Sequence, residues 1–181
     1  MKKLSEEILF AGNWLLLKES TYLCSDKKEV KWESVERKQH KIILVIIAKL
    51  IHSNKYVLIR QYRPAINNYI IAFPAGVSES DNVAEEALRE FKEETGYTGK
   101  IISISPVLKV NPGMIDDSVR IVNVEIDETN SINTNLKQSL EASEEIEVIL
   151  KKDREIREFL QYRKEKGDEI GAGLWYVFGM K

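Results

Sequence analysis

A chain of 181 residues with 43% hydrophobic and 31% charged side chains has the length and composition of one globular domain with a sizeable core. Its net charge of -2, from 27 basic and 29 acidic side chains, excludes the strongly positive surface typical of nucleic-acid-binding proteins. Cys24 is the only cysteine, which excludes an internal disulfide and a cysteine-based metal site. The first ten residues lack the apolar run of a signal peptide, and no apolar run reaches the ~18 residues of a membrane span. We therefore expect a cytoplasmic protein with no membrane partner.

The first forty residues predict a small antiparallel sheet. Apolar runs at 8–17 and 20–24 are followed by the turn sequence SDKK at 25–28, and residues 29–37 then alternate with period two. Three strands bury little by themselves, so we expect the main domain or a second subunit to cover this sheet.

Two tryptophans, Trp14 and Trp32, belong to this predicted sheet. Each has an ordinary interpretation as a packing residue. Two of them in a thin sheet are also suited to sandwiching a flat ring, since stacking on an aromatic side chain contributes about 1–3 kcal/mol per base. Sequence pattern alone leaves both interpretations open.

The next part of the chain predicts a buried hairpin. The run IILVIIA at 42–48 has the composition of a buried strand, and 56–60 returns as its partner after a turn at 52–55. Arg63 precedes Pro64, which ends the strand. Its planar guanidinium suits either a surface ion pair or a bidentate contact with a phosphate.

Residues 82–96 predict a helix with well-marked ends. Asn82 and Glu85 form a capping-box pattern, and Gly96 suits the left-handed position just past the last turn. Before the helix, Pro74-Ala75-Gly76 predicts a loop that brings backbone against the helix N-terminus. At about 100° per residue, one helix face packs while the other collects four acids. The packing face holds Ala84, Ala87, Leu88, Phe91 and Thr95, and the acidic face holds Glu86, Glu90, Glu93 and Glu94.

The acidic face is the chemically informative feature of this helix. Glu90 has a like charge four residues away on each side, at Glu86 and Glu94, and each such pair is unfavourable by roughly 0.2–0.5 kcal/mol. Stability alone therefore gives no reason for them. A cluster of oxygen ligands suits a hard cation, Mg²⁺ or Mn²⁺, that bridges carboxylates to the phosphates of a substrate.

The remaining sequence predicts strands, one polar loop and two helices. The loop, 127–140, lacks periodicity and is flexible by composition. The predicted strands are 101–104, 107–110, 118–126 and an acidic-to-apolar segment at 144–150, with a turn at 111–113. The predicted helices are 152–166, which ends at Gly167, and 169–178.

Residues 89–96 read REFKEETG and resemble the second half of the Nudix box. Nearly the whole chain is similar to the ADP-sugar pyrophosphatase branch of that superfamily. The residues that show this similarity are Gly12-Asn13-Trp14, Trp32-Glu33-Ser34-Val35, Arg37, Gln61-Tyr62-Arg63-Pro64, Phe73-Pro74-Ala75-Gly76, the acidic helix, Asn111-Pro112-Gly113 and residues 144–148.

The resemblance implies an α/β fold, a Nudix α/β/α sandwich with a mixed sheet. Residues 1–40 would form N-terminal strands that swap between the subunits of a homodimer, and residues 41–181 would form the hydrolase domain. The implied reaction is Mg²⁺-dependent hydrolysis of ADP-ribose and related ADP-sugars to AMP and a sugar phosphate. A nucleoside triphosphate or dinucleoside polyphosphate pyrophosphatase, or a Nudix module that binds ADP-ribose without cleaving it, stays open as an alternative.

The resemblance also assigns roles to individual residues. The metal ligands would be the Ala75 carbonyl, Glu90, Glu94 and Glu144, and the catalytic residues would be Glu93, Glu94 and Glu144. Arg89 would orient the glutamates through charge-assisted pairs. The implied substrate contacts are Trp14 (from the partner subunit) and Trp32 on adenine, Glu33 on the adenine edge, Arg37 and Arg63 on the diphosphate and terminal sugar, and Val77 and Asn111 in the lining of the site.

Three features depart from the resemblance, and one assignment stays open. Ala72 stands where relatives commonly have a glutamate, and Asp81 stands at the usual first glutamate of the box. The loop after Gly76, at 78–81, is one residue short. The sequence does not decide which of Glu141, Glu144 and Glu145 acts as the base.

Overall fold

The structure, a computed structural model, describes residues 1–38, 42–78 and 80–180. The chain divides into two compact units, one formed by Met1–Ile43 with Pro106–Arg120 and the other by Leu44–Ser105 with Ile121–Lys181. The expected domain boundary between 40 and 41, and Glu79 of the short loop, lie outside the described residues. No helix in the described part of the chain is long and apolar enough to cross a membrane.

The elements are as follows. The strands are β1 (Lys2–Ala11), β2 (Leu15–Leu23), β3 (Glu29–Arg37), β4 (Ile42–Leu50), β5 (Lys55–Arg63), β6 (Asn68–Ala72), β7 (Ala75–Val77), β8 (Lys100–Ile104), β9 (Leu108–Lys109), β10 (Ser118–Ile126), β11 (Ile146–Lys152) and β12 (Glu169–Ile170). The helices are α1 (Val83–Thr95), α2 (Asp153–Glu165) and α3 (Ala172–Leu174), with 3₁₀ turns at Pro64–Ile66 and Ser131–Asn133 and a π turn at Trp175–Gly179.

The first unit contains the predicted N-terminal sheet, in the antiparallel order β1-β2-β3. Its strand limits differ from the prediction, because the apolar run 8–17 contains a hairpin turn in which Gly12 N–H donates to the Leu15 carbonyl at 2.9 Å. All ten residues of β1 are exposed, so the strand tolerates charged side chains. Because of those charges, the hydrophobicity pattern did not indicate where the strand begins. The turn at 25–28 is confirmed, with Lys27 in the left-handed region at φ 66°.

The second segment of this unit attaches to β3. The Val35 N–H donates to the Met114 carbonyl at 2.8 Å, and the Asp116 N–H donates to the Val35 carbonyl at 3.1 Å. The predicted turn at 111–113 is confirmed, because the Asn111 carbonyl accepts from the Met114 N–H at 3.1 Å. Residues 106–120 therefore belong structurally with the N-terminal strands, although the main sheet elements lie between them in the sequence.

A mixed sheet organises the second unit. Its strands run in the order β12-β6-β5-β4-β10-β8, with β11 paired to β5 and β7 paired to β4. Alternate residues of β4 from Leu44 to Leu50 are buried, which confirms the predicted buried strand and extends it by two residues. β12 is parallel to β6, whereas β5 is antiparallel to both β6 and β11.

Helices cover the two faces of this sheet, and the predicted α/β/α sandwich is confirmed. One face packs Leu58, Ile71 and Phe73 against α2 and the C-terminal helical segment. The opposite face holds the alternate residues of β4 and β5, and α1 adds its buried Ala87 and Phe91. The residues from the helices on the first face are Ile156, Leu160, Leu174 and Phe178.

Three local predictions were wrong or incomplete. Residues 75–77 form a strand rather than a loop, and β6 was not predicted. The predicted helix 169–178 begins instead with β12, because these two residues pair with β6 and the helix starts only at Ala172. β7 and β12 are short and pair with β4 and β6, which are distant in the sequence, so local periodicity does not report them.

Candidate active site

The centre of the candidate site is the contact between β7 and α1. The Ala75 N–H donates to Oε2 of Glu94 at 3.0 Å. One residue on, a Cβ added to Gly76 would lie 2.3 Å from Cδ of Glu90, so only glycine allows the backbone to approach this closely. Two of the three carboxylates predicted as metal ligands, Glu90 and Glu94, therefore lie against β7, beside the body of the helix rather than at its N-terminus.

The ends of α1 fix the angular position of these carboxylates. The Asn82 side chain accepts from the Glu85 N–H at 3.4 Å, and Gly96 adopts the left-handed conformation at φ 78°. Both predicted helix signals are confirmed. Because residues four apart share a face of an α-helix, Glu90 and Glu94 both face β7.

Burial makes the charged form of these acids unfavourable. It raises the pKa of Glu94, whose exposure is 2%, to about 8, although the Ala75 N–H opposes the shift. The nearby charges of Glu144 and Glu90 raise the pKa of Glu94 further, and Arg63 lowers it. Burial likewise raises the pKa of Glu90, against the effect of Arg89.

Arg89 connects three of the glutamates on the helix. Its guanidinium donates to Glu86 at 2.9 Å, to Glu90 at 2.7 Å and to Glu93 at 2.8 Å. The bond to Glu86 and the charges of Glu90 and Glu93 raise the pKa of Arg89 above its usual range. The expected charge-assisted pairing is confirmed, and it offsets the like-charge repulsion along this face.

The three glutamates that precede β11 differ in their surroundings. Glu145 is bonded to two tyrosines: its carboxylate accepts from the Tyr69 hydroxyl, and its carbonyl accepts from the Tyr62 N–H at 3.3 Å. Oε2 of Glu144 accepts from the Glu141 N–H at 3.0 Å. Among these three, Glu144 is the one whose charge raises the pKa of both Glu90 and Glu94.

The donor set suits a hard divalent cation. Among residues 1–38, 42–78 and 80–180, no group of three or more His, Cys, Asp or Glu side chains is already arranged around a metal position. Two observations nevertheless fit a cation between β7 and α1. The Gly76 backbone lies directly against the Glu90 carboxylate, and burial with neighbouring negative charges raises the pKa of Glu94, so positive charge beside its carboxylate is favoured. The carboxylates of Glu90 and Glu94 both offer oxygen, the ligand atom that hard divalent cations prefer.

The predicted adenine-binding residues lie in the first unit. Trp14 is 75% exposed in the turn between β1 and β2, and Trp32 is 51% exposed on β3. The Trp32 indole N–H donates to the Gly113 carbonyl at 3.0 Å. Trp32 also lines a cavity of about 490 Å³ together with Lys18, Glu36 and Met114.

The other predicted substrate contacts are distributed over both units. Glu33 is exposed on the face of β3 opposite to Trp32, and Nε of Arg37 donates to Asp117 at 2.9 Å. Asn111 is exposed in its turn. In the second unit, Arg63 is exposed at the end of β5 and Val77 ends β7.

Sequence reasoning missed two groups that fix the residues around Glu144. Tyr69 holds Glu145, and Nε2 of Gln138 donates to the carbonyls of Glu94 at 2.6 Å and Ile146 at 3.1 Å. Gln138 belongs to the polar segment 127–140, which is irregular as predicted apart from the turn at Ser131–Asn133. A lone glutamine in such a segment gives no local signal.

Comparison with known proteins identifies the class. No family model matches the chain. It is 29% identical over 153 residues to the ADP-sugar pyrophosphatase of Mus musculus, covering 80% of this chain and 70% of that protein. It is 32% identical over 155 residues to a nudix hydrolase of Caenorhabditis elegans, covering 81% and 70%. It is 33% identical over 143 residues to the ADP-ribose pyrophosphatase of Saccharomyces cerevisiae, covering 74% and 62%.

A solved structure described as an ADP compounds hydrolase has the same fold, with a TM-score of 0.68 at 19% identity, covering 89% of this chain and 84% of that one. An α/β/α sandwich that places helix glutamates against a glycine-containing strand, together with these relatives, defines an enzyme that hydrolyses phosphoric anhydrides. The chain belongs to the Nudix hydrolase family.

Proposed function

We propose that this Nudix hydrolase cleaves the diphosphate of ADP-ribose and related ADP-sugars, giving AMP and ribose 5-phosphate or the corresponding sugar phosphate. The observation that carries the proposal is a pair of carboxylates held against β7, the half-buried Glu90 and the buried Glu94, with Glu94 bonded to the Ala75 N–H at 3.0 Å. Relatives from Mus musculus and Saccharomyces cerevisiae are named for ADP-sugar and ADP-ribose pyrophosphatase activity.

Mg²⁺ is the proposed cofactor, with Mn²⁺ as the alternative. Glu90, Glu94, Glu144 and the carbonyl of Ala75 would hold it. When bound, such an ion neutralises phosphate charge and makes a coordinated water more acidic. Arg89 keeps Glu90 and Glu93 in place through its bonds of 2.7 and 2.8 Å, so that Glu93 supports the ligands.

Within this scheme Glu144 is the base. It takes a proton from the attacking water as that water's oxygen bonds to a phosphorus of the diphosphate, and the bond from phosphorus to the bridging oxygen breaks. Glu145 is committed to the Tyr69 hydroxyl, whereas the charge of Glu144 reaches Glu90 and Glu94. Arg63, whose charge also reaches Glu94, would hold the diphosphate.

The N-terminal strands, residues 1–40, would supply the adenine contacts, and residues 41–181 would form the hydrolase domain. Trp14 and Trp32 stack on the base and Glu33 contacts its edge in this proposal, while Arg37, Val77 and Asn111 line the rest of the substrate site. The high exposure of both tryptophans supports it, since a packing role would bury their rings. The expected cytoplasmic location stays a prediction.

Replacing Trp32 with alanine is expected to raise KM for ADP-ribose by a factor of about 5 to 150, which corresponds to about 1–3 kcal/mol of lost stacking. Trp32→Phe is the matched control, because it keeps an aromatic face but loses the indole bond to Gly113. Steady-state kinetics with both variants measures the difference. If alanine lowers the melting temperature and leaves KM unchanged, Trp32 is a packing residue only.

A homodimer is the proposed assembly. Within the described residues β1 has β2 as its strand partner, and its outer edge is open along ten exposed residues. Exposed apolar side chains on this strand, Leu4, Ile8, Leu9 and Phe10, suit contact with a second copy. Light scattering after gel filtration should give twice the mass of the chain, and Phe10→Asp should give a monomer. A monomeric wild type would contradict the proposal.

The reaction itself is tested by incubating the purified protein with Mg²⁺ and ADP-ribose and separating the products. We expect AMP and ribose 5-phosphate in equal amounts, and none when Mg²⁺ is chelated. Parallel reactions contain ATP and a diadenosine polyphosphate. Turnover of those nucleotides alone would retire the ADP-sugar assignment, and ADP-ribose binding without any product would make the protein a binding module.

A further inference from the structure

We infer that Gln138 is a positioning residue that holds the segment bearing Glu144 against α1. The inference rests on the proposed function, in which Glu144 is the base. Gln138 is neither a member of the Nudix box nor one of the residues that the resemblance assigns to substrate or metal. Its role follows from where its side-chain amide is bonded.

The amide nitrogen of Gln138 joins the two elements that must stay in register. It donates to the carbonyl of Glu94 in the last turn of α1 at 2.6 Å and to the carbonyl of Ile146 at the start of β11 at 3.1 Å. The last carbonyls of a helix have no partner within the helix, so a side-chain donor there replaces water. One NH₂ group therefore links the backbone of a predicted metal ligand to the residue two positions after Glu144.

The backbone next to Gln138 makes a second attachment to the same helix. The Ser139 N–H donates to the Glu93 carbonyl at 2.8 Å. At the other end of the segment, Glu145 is fixed by Tyr62 and Tyr69. Residues 140–144 thus lie between two anchored points, and Gln138 is the side chain that ties the first of them to both α1 and β11.

The rest of this stretch has little other support. Residues 134–139 are exposed and have no regular secondary structure, so few apolar contacts hold them. A loss of the Gln138 bonds would leave the Ser139 bond and the close approach of Leu136 and Lys137 to Gly96 as the attachments to α1, and would widen the range of Glu144 positions. Misplacing a catalytic group by about 1 Å lowers the rate by about 100-fold, which makes such a link kinetically visible.

Asn133 provides a matched control on the same segment. Its amide nitrogen also donates to two carbonyls, those of Thr98 and Asp127, each at 2.9 Å, and the residue is 7% exposed. It has the same chemistry as Gln138 and is more buried, but it bonds no residue of the candidate site. Asn133→Ala measures what the loss of a bridging amide does to stability alone.

The experiment compares Gln138→Ala, Gln138→Glu and Asn133→Ala in AMP release from ADP-ribose with Mg²⁺. Gln138→Glu keeps the shape but replaces the NH₂ donor by an oxygen, so it should behave like alanine. We expect both Gln138 variants to lower kcat by about 10- to 100-fold with KM within twofold. Asn133→Ala should lower the melting temperature and keep kcat.

A double variant tests whether Gln138 acts through Glu144. In a Glu144→Gln background, Gln138→Ala should cause no further loss of kcat, because the group it positions is already disabled. The same fractional loss in both backgrounds, or an unchanged kcat in Gln138→Ala, would overturn the inference. If the wild type releases no AMP, the proposed function fails; wild-type turnover with an insensitive Gln138 removes only the positioning role.

Discussion

Glu94→Gln is expected to lower kcat for ADP-ribose by at least about 100-fold, which is about 2.7 kcal/mol of transition-state stabilisation. The amide oxygen of glutamine can still accept from the Ala75 N–H, so the local hydrogen bond survives. The negative charge that would bind Mg²⁺ is lost. The melting temperature of the metal-free protein should stay level or rise, because the buried carboxylate carries a desolvation cost that a neutral amide avoids.

A loss of activity without a loss of stability distinguishes a metal-binding residue from a residue with a purely structural role. Glu85→Gln is the control on the same helix, since Glu85 is exposed and its contact is with the Asn82 cap. It should keep wild-type kcat. Titration with Mn²⁺ provides a readout that does not depend on turnover, and Glu94→Gln should bind it more weakly than Glu85→Gln. Equal Mn²⁺ affinity and kcat in the two variants would place the metal elsewhere.

Asp168→Asn is expected to destabilise the fold by about 3 kcal/mol, which lowers the melting temperature of a chain of this size by about 6–12 °C. The carboxylate of Asp168 is 4% exposed and accepts from Arg60 at 3.1 Å and from Nε of Arg163 at 2.6 Å. Removing its charge leaves two guanidiniums facing each other without a counter-ion. It also loosens the junction of α2, β5 and β12, where Arg60 is stacked 3.6 Å from the centre of the Tyr69 ring.

The neighbouring residue supplies the control for a surface pair. Glu169 bonds Lys164 at 2.5 Å, but both side chains are about half exposed, and Glu169→Gln should cost less than about 1 kcal/mol. Chemical denaturation of the two variants and the wild type measures the free energy of unfolding. Equal losses would mean that burial does not strengthen the Asp168 cluster.

The Asp168 cluster also predicts a direction for the pH dependence of stability. Burial alone would raise the pKa of Asp168, but the bonds from Arg60 and Arg163 outweigh burial and hold it below its ordinary value. The stabilising contribution is therefore complete above the unfolded pKa, about 3.9, and is lost as the pH falls through the folded pKa. The gap in unfolding free energy between wild type and Asp168→Asn should shrink as the solution is acidified below about pH 4.

Local chemistry made the centre of the candidate site predictable. Asn82 and Gly96 are signals within one helix, and each has the predicted capping role in the structure, while the predicted metal-binding role of the glutamates stays a prediction. The strand β4 was predictable because a continuous apolar run indicates a strand covered on both faces; Leu44 and Ile46 are buried on one face, and Val45 and Ile47 pack, partly buried, on the other. Gly76 was identified as part of the site, but its strand conformation depends on β4, which lies far away in the sequence.

Features that depend on distant partners were not predictable in this way. β12 is two residues long and exists because β6 lies beside it, and β6 itself was missed. The distinction between Glu144 and Glu145 needed the Tyr69 hydroxyl, which comes from another strand. The sequence around Gln138 shows no periodicity or motif, and its proposed role is evident only from its hydrogen bonds to the carbonyls of Glu94 and Ile146.

The bonding between β3 and residues 113–117 limits how this chain can be shortened or recombined. Val35 exchanges backbone bonds with Met114 and Asp116, while Trp32 bonds Gly113 and Arg37 bonds Asp117. A truncation that removes the first 43 residues would remove the β3 hydrogen-bond partners of residues 113–117 and leave the backbone N–H and C=O groups of that segment without them. A graft of the N-terminal strands onto a relative would have to include residues 106–120, because the two stretches form one structural unit.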